Sequence, residues 1–326
     1  MQLKFKKILS SFKNAKVFVV GDLILDCFVW GKVRRISPEA PVPVVEVERD
    51  SFVPGGAANV AHNMCALGAK VWLAGIVGKD DEGKRLLTQL KERGMMTETI
   101  RVDSSRSTSL KTRVVAHHQQ VVRIDREVLS ELKEDYLKKI LNDFKRLSPS
   151  MDALVIEDYG KGVVTQALVS QLILIAKDRS IPVAVDPKKG HLLDYQGISF
   201  TTPNLEEAAY FAGVEDGKEV SVEEIGKILL EKWQCQAVLV TLGEKGMCLF
   251  EKDKNPYFIP TQAREVYDVS GAGDTVIGTF VLSVIGGAHF KEAAQLANLS
   301  AGIVVGKLGT AVVFKDEIEK ELDNVR

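Results

Sequence analysis

The sequence is poor in cysteine, in long apolar runs and in any excess of one charge. Its 326 residues include four cysteines without C-x-x-C spacing, which argues against a disulfide scaffold and fits a reducing cytoplasm. Lys plus Arg (43) nearly balances Asp plus Glu (44), so we expect neither a nucleic-acid partner nor a membrane partner. The longest uncharged run, 275–290, falls short of the roughly 18 apolar residues of a membrane span. It predicts a core helix instead.

The chain also lacks the composition of an interdomain linker. No Pro/Gly/Ser-rich segment or block of like charge divides it, and hydrophobic residues make up 45% of it. Short β-branched runs such as KVFVVGD and QAVLVTLG alternate with amphipathic helical stretches. This alternation predicts an α/β fold with a doubly wound, mostly parallel sheet flanked by helices. We expect a single domain over residues 1–326, with its ligands at the carboxyl ends of the strands.

Two segments break this alternation, residues 28–54 and 107–126. They carry β-branched residues in extended patterns without a helical period, and the first contains several prolines. We expect them to form a small antiparallel sheet that covers a site, and we call it the lid. Because the edges of such a sheet need protection, we also expect the lid strands to pair between two copies of the chain in a homodimer.

One segment matches the spacing of a phosphate-binding loop, G-x-x-x-x-G-K, at residues 78–85. Arg85 stands where a Ser or Thr would bind magnesium, and Asp80 and Asp81 would face the phosphates. Acidic residues of this kind complement the dipole at the start of a helix. We therefore interpret the segment as a helix N-terminus rather than a nucleotide site.

The segment YDVSGAGDTVIGTF, residues 267–280, carries the most specific chemistry. Its small residues let backbone N–H groups approach a ligand, and they lead into a helix whose N-terminus attracts anions. Asp274 could serve simply as the helix cap. A carboxylate beside an anion pocket also suits phosphoryl transfer, because the amides hold the charge of the transferring group while the acid accepts a hydroxyl proton.

DVSGAGD resembles the D-T-x-G-A-G-D signature of the ribokinase-like (PfkB) sugar kinases, and the resemblance extends over most of the chain. It implies that Asp274 is the catalytic base and that Gly271, Ala272 and Gly273 form the anion hole. PGGAANVAHNMCALG is similar to the amino-terminal signature of the family. The resemblance also implies ATP and Mg²⁺ as cofactors, with a monovalent cation such as K⁺ near Asp268 and residues 304–310.

Further positions follow from the same resemblance. Glycines let the backbone approach a sugar, and the side chain of an Asn offers the sugar hydroxyls both a hydrogen-bond donor and an acceptor. NLEE looks like the family's N-x-x-E motif, which binds magnesium through water, although Asn204 is equally suited to cap a helix. Asn298 either lines the adenine pocket or is a surface amide on a packed helix. The implied sugar-binding residues are Asp22, Asp26, Gly55, Gly56 and Asn59, with Asp26 the better match of the two acids; the implied nucleotide-binding residues are Asn204, Glu207, Thr241, Gly243, Gly246 and Asn298.

The lid segments RRISPEAPVPVVEV and TRVVAHHQQVVRIDRE, together with EDYGKGV and VDPKKG, resemble the kinases of D-glycero-D-manno-heptose 7-phosphate. This implies phosphorylation of the C1 hydroxyl to the 1,7-bisphosphate, in ADP-heptose and lipopolysaccharide synthesis. Basic side chains on the lid suit a phosphorylated substrate, since Arg binds phosphate through two parallel bonds, although they could also be a solvated face. The candidate substrate contacts are Arg34, Arg113, Arg123, Lys161 and Asp186.

Two other functions stay open. Another sugar or nucleoside kinase of the family would share every motif around Asp274 and differ in the lid. A non-catalytic nucleotide sensor would bind ATP without transferring phosphate. None of the five histidines lies in an H-x-G-H nucleotidyltransferase signature, so we expect a stand-alone kinase.

Overall fold

A nine-stranded sheet with helices on both faces makes up the body of the protein, and a second sheet projects from it. The structure is a computed structural model that describes residues 2–117, 119–215, 218, 220–263 and 265–324. Its strands are β1 (Lys16–Gly21), β2 (Leu23–Ile36), β3 (Pro43–Gly56), β4 (Lys70–Gly78), β5 (Ile100–Asp103), β6 (Ser109–Ala116), β7 (Gln119–Arg126), β8 (Ala153–Glu157), β9 (Val183–Asp186), β10 (Phe200–Thr201), β11 (Ala237–Thr241), β12 (Met247–Glu251) and β13 (Tyr257–Ile259).

Helices precede, connect and follow these strands. They are α1 (Gln2–Ser11), α2 (Ala57–Ala66), α3 (Asp81–Glu92), α4 (Glu134–Leu147), α5 (Gln166–Asp178), α6 (Leu205–Phe211), α7 (Val222–Trp233), α8 (Ala272–Ile285), α9 (Phe290–Val304) and α10 (Lys315–Asn324). In the described part of the chain, no helix combines the length and apolarity needed to cross a bilayer. The uncharged run after Asp274 forms α8, which is buried from residue 274 to residue 283, as predicted.

The main sheet has the strand order β13-β12-β11-β10-β9-β8-β1-β4-β5. All of its ladders are parallel except β11–β12 and β12–β13, which confirms the doubly wound, mostly parallel arrangement. The chain builds outward from β1 in both directions, so the carboxyl ends of β1, β8 and β9 meet where the winding reverses. Ligands bind at this position in open α/β sheets.

The core lies on both faces of the sheet because its central parallel strands are covered on both faces. Along β1, Val17 and Val19 pack into one apolar cluster, whereas Phe18 and Val20 pack into the other. Successive side chains of a strand point to opposite faces, so a strand buried on both faces is a continuous apolar run. These strands could therefore be identified in the sequence from their apolar runs.

The lid is a four-stranded sheet in the order β3-β2-β6-β7. Its outer ladders are antiparallel, but β2 and β6 are parallel, which the expected all-antiparallel sheet did not include. Both strands leave the main body toward the lid, so they run in the same direction. The lid also reaches further than expected, because β2 begins at Leu23 and its first residues are buried in the core.

The segment with phosphate-loop spacing is the start of α3, as interpreted. Asp80 is the N-cap, and its Oδ1 accepts hydrogen bonds from Gly83 N at 2.8 Å and Thr108 Oγ1 at 2.6 Å. Its Oδ2 accepts a third bond from Thr108 N at 2.8 Å. A carboxylate bonded in this way stabilises the helix start, and its negative charge disfavours a bound phosphate.

Candidate active site

Asp274 lies in the first turn of α8 and faces the interior of the protein. Its Oδ2 accepts a hydrogen bond from Asn59 Nδ2 at 2.5 Å, and its Oδ1 accepts one from Tyr159 Oη at 3.0 Å. The N-cap is Gly271, so the simpler interpretation of Asp274 as the cap is wrong. Gly271 has φ +80°, and a Cβ there would lie 2.7 Å from Asn59 Nδ2. Glycine is therefore required for the Asn59–Asp274 contact.

The pKa of Asp274 is raised to about 6, chiefly because the side chain is buried. The hydrogen bonds from Asn59 and Tyr159 favour the carboxylate and oppose this rise, and the negative charge of Asp26 adds to it. A group with this pKa is ionised at neutral pH and still basic enough to accept a proton. Burial likewise raises the pKa of Tyr159 well above its usual range, so its hydroxyl remains a donor.

The backbone before Asp274 offers free N–H groups to an anion. Within the described residues, the N–H groups of Gly271 and Gly273 donate to no protein acceptor, whereas Ala272 N donates to Val269 O at 3.2 Å. Of the three backbone N–H groups expected in the anion hole, two are therefore free to bind an anion. Gly273 also borders open space, since a Cβ there would meet no atom within 4 Å.

Two cavities meet at this helix N-terminus. The smaller, of about 170 Å³, is polar and lies against Asp274. The larger, of about 380 Å³, is mostly apolar, and the two share Thr241 and Gly273. The larger one is lined by Thr241, Gly243, Glu244, Gly246, Met247, Thr261, Ala263, Val266, Val269, Ala272, Gly273, Val276, Asn298, Ala301, Gly302 and Val305.

The larger cavity is lined by the three residues of the expected nucleotide-binding loop, Thr241, Gly243 and Gly246. The expected adenine contact, Asn298, also lines it. Asn298 is only 3% exposed, and its Nδ2 donates to Pro260 O at 2.8 Å, so it is not a surface amide. Thr241 ends β11, and Gly243–Lys245 forms a short 3-10 turn before β12. A strand end and a buried helix thus both line a pocket with room for a nucleoside.

The two acids expected to bind sugar have different surroundings. Asp22 is buried and accepts backbone bonds from Tyr159, Lys161 and Val163, each at 3.0 Å. It organises the loop after β8 and has little capacity left for a ligand. Asp26 instead lies in lid strand β2, and its Oδ1 accepts a hydrogen bond from Arg113 Nη1 of the neighbouring strand β6 at 2.6 Å.

The glycine pair before α2 allows lid strand β3 to lie close to Asp26 on lid strand β2. A Cβ on Gly55 would lie 2.5 Å from Asp26 Oδ2, so a larger residue would displace the carboxylate. Gly56 has φ +57° and is the N-cap of α2, the helix that carries Asn59. The amino-terminal motif therefore connects Asp26 with the Asn59–Asp274 pair.

The expected phosphate contacts separate into two groups. Arg113 and Lys161 are mostly buried, and Lys161 Nζ binds Glu127 Oε2 at 2.6 Å. By contrast, Arg34 and Arg123 are at least half exposed and pair with Glu46 and Asp125. Lys111, which is not among the expected contacts, joins the buried group, with its Nζ 3.8 Å from Glu127 Oε1 and 5.8 Å from the ring of Tyr159.

The N-x-x-E motif begins α6 as a reciprocal cap. Asn204 Oδ1 accepts a bond from Glu207 N at 2.9 Å, and Glu207 Oε2 accepts one from Asn204 N at 3.1 Å. The other oxygen of Glu207 lies 3.4 Å from Lys188 Nζ. Both motif residues still line the polar cavity, so capping does not remove them from the site.

Asp186 lies among acidic groups. It ends β9 in register with Glu157 at the end of β8, and oxygens of these two and Asp274 lie within 4.8 Å of one another. Burial raises the pKa of Glu157 and Asp186 well above the usual range, and the charges of the neighbouring acids raise it further. An all-oxygen set of this kind suits a hard cation such as Mg²⁺.

Glu157 and Tyr159 are important members of this site to which the sequence analysis assigned no role. Both lie in EDYGKGV, a segment noted only for its resemblance to the heptose 7-phosphate kinases, at and just after the end of an apolar strand. Tyr159 lies 115 residues before its partner Asp274. Nothing local in the sequence indicates such a contact.

Comparison with known proteins gives consistent matches. A model described as the pfkB family of carbohydrate kinases matches residues 14–316. The bifunctional protein HldE of Desulfatibacillum aliphaticivorans is 44% identical over 315 residues, covering 97% of this chain and 64% of that protein. HldE of Geobacter sulfurreducens is 43% identical over 316 residues, covering 96% and 64%. The chain thus spans a little under two thirds of these relatives.

Solved structures confirm the ribokinase-like fold. The ribokinase of Arabidopsis thaliana, complexed with ribose and ATP, has a TM-score of 0.72 at 20% identity and covers 94% of this chain and 98% of that one. Phosphofructokinase-2 of Escherichia coli, in complex with potassium, has a TM-score of 0.78 at 20% identity and covers 95% and 99%.

Proposed function

Because this chain belongs to the pfkB family of carbohydrate kinases, as its motifs predicted, we propose that it transfers the γ-phosphoryl group of ATP to the C1 hydroxyl of D-glycero-D-manno-heptose 7-phosphate. The product is the 1,7-bisphosphate. One observation carries the proposal: Asp274 is held between Asn59 and Tyr159, beside the free amides of Gly271 and Gly273, where two cavities meet. Base, anion donors and space for both substrates occur together there.

The proposed role of each residue follows from its position in the site. The nucleoside occupies the larger cavity beside Asn298 and Thr241, with its phosphates directed toward Gly273. The N–H groups of Gly271 and Gly273 donate to the oxygens of the transferring group as charge shifts along it. Asp274 accepts the proton of the attacking hydroxyl. In phosphoryl transfer such positioning and electrostatic stabilisation supply nearly all of the rate.

Asn204 and Glu207 would hold Mg²⁺ through water at the edge of the polar cavity. When bound there, the ion neutralises charge on the nucleotide phosphates. We also propose a K⁺ site near Asp268 and residues 304–310. Asp268 accepts bonds from Ser270 N at 2.9 Å and from Gly309 N at 3.2 Å, which ties that segment to the anion hole.

Buried basic side chains in and near the lid favour a phosphorylated sugar as the acceptor. Arg113, Lys111 and Lys161 gather beside Asp26 and Tyr159 in mostly buried positions, and a ligand phosphate offers oxygens to all three. We therefore place the enzyme in ADP-heptose and lipopolysaccharide synthesis. All four thiols are free, which fits a cytoplasmic location.

We propose further that the lid pairs with that of a second chain in a homodimer. β7 is an edge strand, and its Val121, Val122 and Ile124 are 39%, 46% and 57% exposed. An exposed apolar edge strand is a template for pairing. Light scattering after gel filtration should give twice the chain mass, and Val122→Lys should lower that mass to one chain. A monomeric wild type would contradict the pairing.

A coupled assay of ADP release tests the catalytic proposal, with heptose 7-phosphate, fructose 6-phosphate and ribose as acceptors. We expect kcat/KM to be highest for heptose 7-phosphate. A preference for one of the other acceptors would indicate another sugar kinase of the family. ATP binding without ADP release for any acceptor would indicate the nucleotide sensor and would overturn the proposal.

A further inference from the structure

Glu127 follows β7 at the base of the lid, and its carboxylate lies between two lysines from different parts of the fold. Lys161 Nζ, in the loop after β8, donates to Oε2 at 2.6 Å, and Lys111 Nζ, on β6, lies 3.8 Å from Oε1. The side chains of Lys111, Glu127 and Lys161 are only 15%, 17% and 19% exposed. Attraction between charges is stronger where water is excluded. Glu127 therefore joins the lid to the body of the protein.

The backbone around this ion pair is held in place on both sides. Arg106 Nη2 donates to Lys161 O at 2.9 Å and to Val128 O at 3.1 Å, which ties the residue after Glu127 to the loop after β8. Asp22 Oδ2 accepts a hydrogen bond from Lys161 N at 3.0 Å. The carboxylate and the ammonium group thus meet because their chain segments are fixed, unlike a pair between mobile surface side chains.

The bonding capacity of the three charged groups is incompletely used. Within the described part of the chain, Glu127 Oε1 is buried and accepts no hydrogen bond. Buried carboxylate oxygens normally have a donor, and an ammonium group can donate three bonds. Burial lowers the pKa of Lys111, and the negative charge of Glu127 opposes that fall. A ligand with more charge and more oxygens than one carboxylate would satisfy both lysines better than Glu127 does.

We propose that Glu127 is a specificity-determining residue whose carboxylate occupies the position of the acceptor's phosphate between Lys111 and Lys161. A phosphate monoester brings nearly two negative charges and three oxygens, so it displaces Glu127 with a gain in attraction. A ligand carboxylate only exchanges one single charge for another, and a hydroxyl brings none. Glu127 therefore excludes sugar acids and unphosphorylated sugars. This inference rests on the phosphorylated acceptor of the proposed function and adds the residue that enforces it.

Three ligands of one skeleton test this role in the nucleotide-free protein: glycerol 3-phosphate, glycerate and glycerol. Tm and calorimetric Kd are measured at about pH 8, where a phosphate monoester is a dianion, with ionic strength held constant by chloride. Only glycerol 3-phosphate should raise the Tm of the wild type. In Glu127→Gln both anions should raise it, and the Kd for glycerol 3-phosphate should fall about fivefold. A purely structural role of Glu127 predicts the opposite, weaker binding of every ligand.

The matched control is Asp125→Asn, which removes the same charge two residues earlier on β7. Asp125 pairs with the half-exposed Arg123 at 2.9 Å, so its loss should leave the ligand preference of the wild type unchanged. If Glu127→Gln does not fold, Glu127→Asp carries the same prediction, because it withdraws the carboxylate from Lys161 by one methylene.

Continued exclusion of glycerate by the folded Glu127 variant would overturn the inference. So would equal gains in Asp125→Asn, or a wild type that glycerol 3-phosphate does not stabilise. The assay contains neither ATP nor a sugar, so its outcome is separate from that of the kinase assay. A chain that shows the predicted preference but phosphorylates another sugar phosphate refutes only the proposed substrate. A chain that phosphorylates heptose 7-phosphate without this preference refutes only the role of Glu127.

Discussion

Removing the hydroxyl of Tyr159 tests how the surroundings of Asp274 set the pKa of this base. It donates to Asp274 Oδ1 at 3.0 Å inside a buried site, and this bond stabilises the carboxylate relative to the carboxylic acid. Tyr159→Phe removes the donor and keeps the ring. The pKa of Asp274 must then rise, because burial remains and one of the two opposing hydrogen bonds is lost.

The size of the shift follows from the strength of the bond. A hydrogen bond to a charged group contributes about 1.5–3 kcal/mol, and about 1.4 kcal/mol corresponds to one pKa unit. The pKa of Asp274 should therefore move from about 6 to about 7–8. At pH 7 the ionised fraction of the base falls about two- to tenfold, and at pH 9 it is nearly complete in both proteins.

The assay is the pH dependence of kcat/KM at saturating magnesium. The acid limb of the profile should move to higher pH in Tyr159→Phe, with activity at pH 9 within about twofold of the wild type. A sugar phosphate also titrates near pH 6, but that contribution is common to all variants. Only the difference between profiles reports on Asp274.

Tyr195→Phe is the matched control, because Tyr195 is a buried tyrosine whose hydroxyl donates to a different acid, Asp158, at 2.7 Å. Its profile should keep the acid limb of the wild type. An unmoved limb in Tyr159→Phe would refute the tuning of Asp274 by this bond. Equal shifts in both variants would show a general effect of losing a buried hydroxyl.

Three further predictions test other parts of the site. Asp274→Asn should lower kcat by about 100-fold or more with ATP affinity little changed, as the loss of a general base does, whereas Asp81→Asn in the exposed first turn of α3 should keep full activity. Arg113→Ala should raise the KM for the sugar phosphate about tenfold or more and leave the KM for ATP within about twofold, by steady-state kinetics. Asp80→Ala should lower the free energy of unfolding in urea by about 1–2 kcal/mol without changing the KM for ATP; a raised KM would restore the phosphate-loop interpretation.

The sheet and its order of elements could be predicted because they depend on local patterns. β4 and β8 are short apolar runs, and each is followed by turn residues and a helical period. The start of α8 was equally visible, since small residues before a long uncharged run mark a helix N-terminus that accepts an anion. In both cases a few adjacent residues determine the structure.

The direction of the lid strands could not be predicted in the same way. Whether β2 and β6 run parallel depends on where each leaves the main sheet, and those positions are set by strand pairing far away in the sequence. The same limit applies to Asp22 and Asp26, which are four residues apart in one motif. Only the fold shows that the first accepts backbone bonds while the second pairs with Arg113 on the neighbouring lid strand.

The basic residues of the lid show why counting charges is not sufficient. Arg34, Arg113 and Arg123 are alike in the sequence, yet only Arg113 is mostly buried. Exposed pairs contribute little and are screened by salt, so Arg34 and Arg123 are weak candidates for binding a substrate. Burial separates the residues that can discriminate between ligands from those that keep the surface soluble.

The buried cations in the lid and in the loop after β8 also explain how a phosphate on the acceptor would be required. Arg113 is paired with Asp26, and Lys161 with Glu127, so a ligand must compete with internal carboxylates for both. A phosphate dianion offers each cation more charge and more oxygens than the carboxylate it replaces. It would free Asp26 to accept a sugar hydroxyl at the same moment. An uncharged sugar leaves both pairs intact, and Asp26 then remains bound to Arg113 instead of orienting the acceptor toward Asp274.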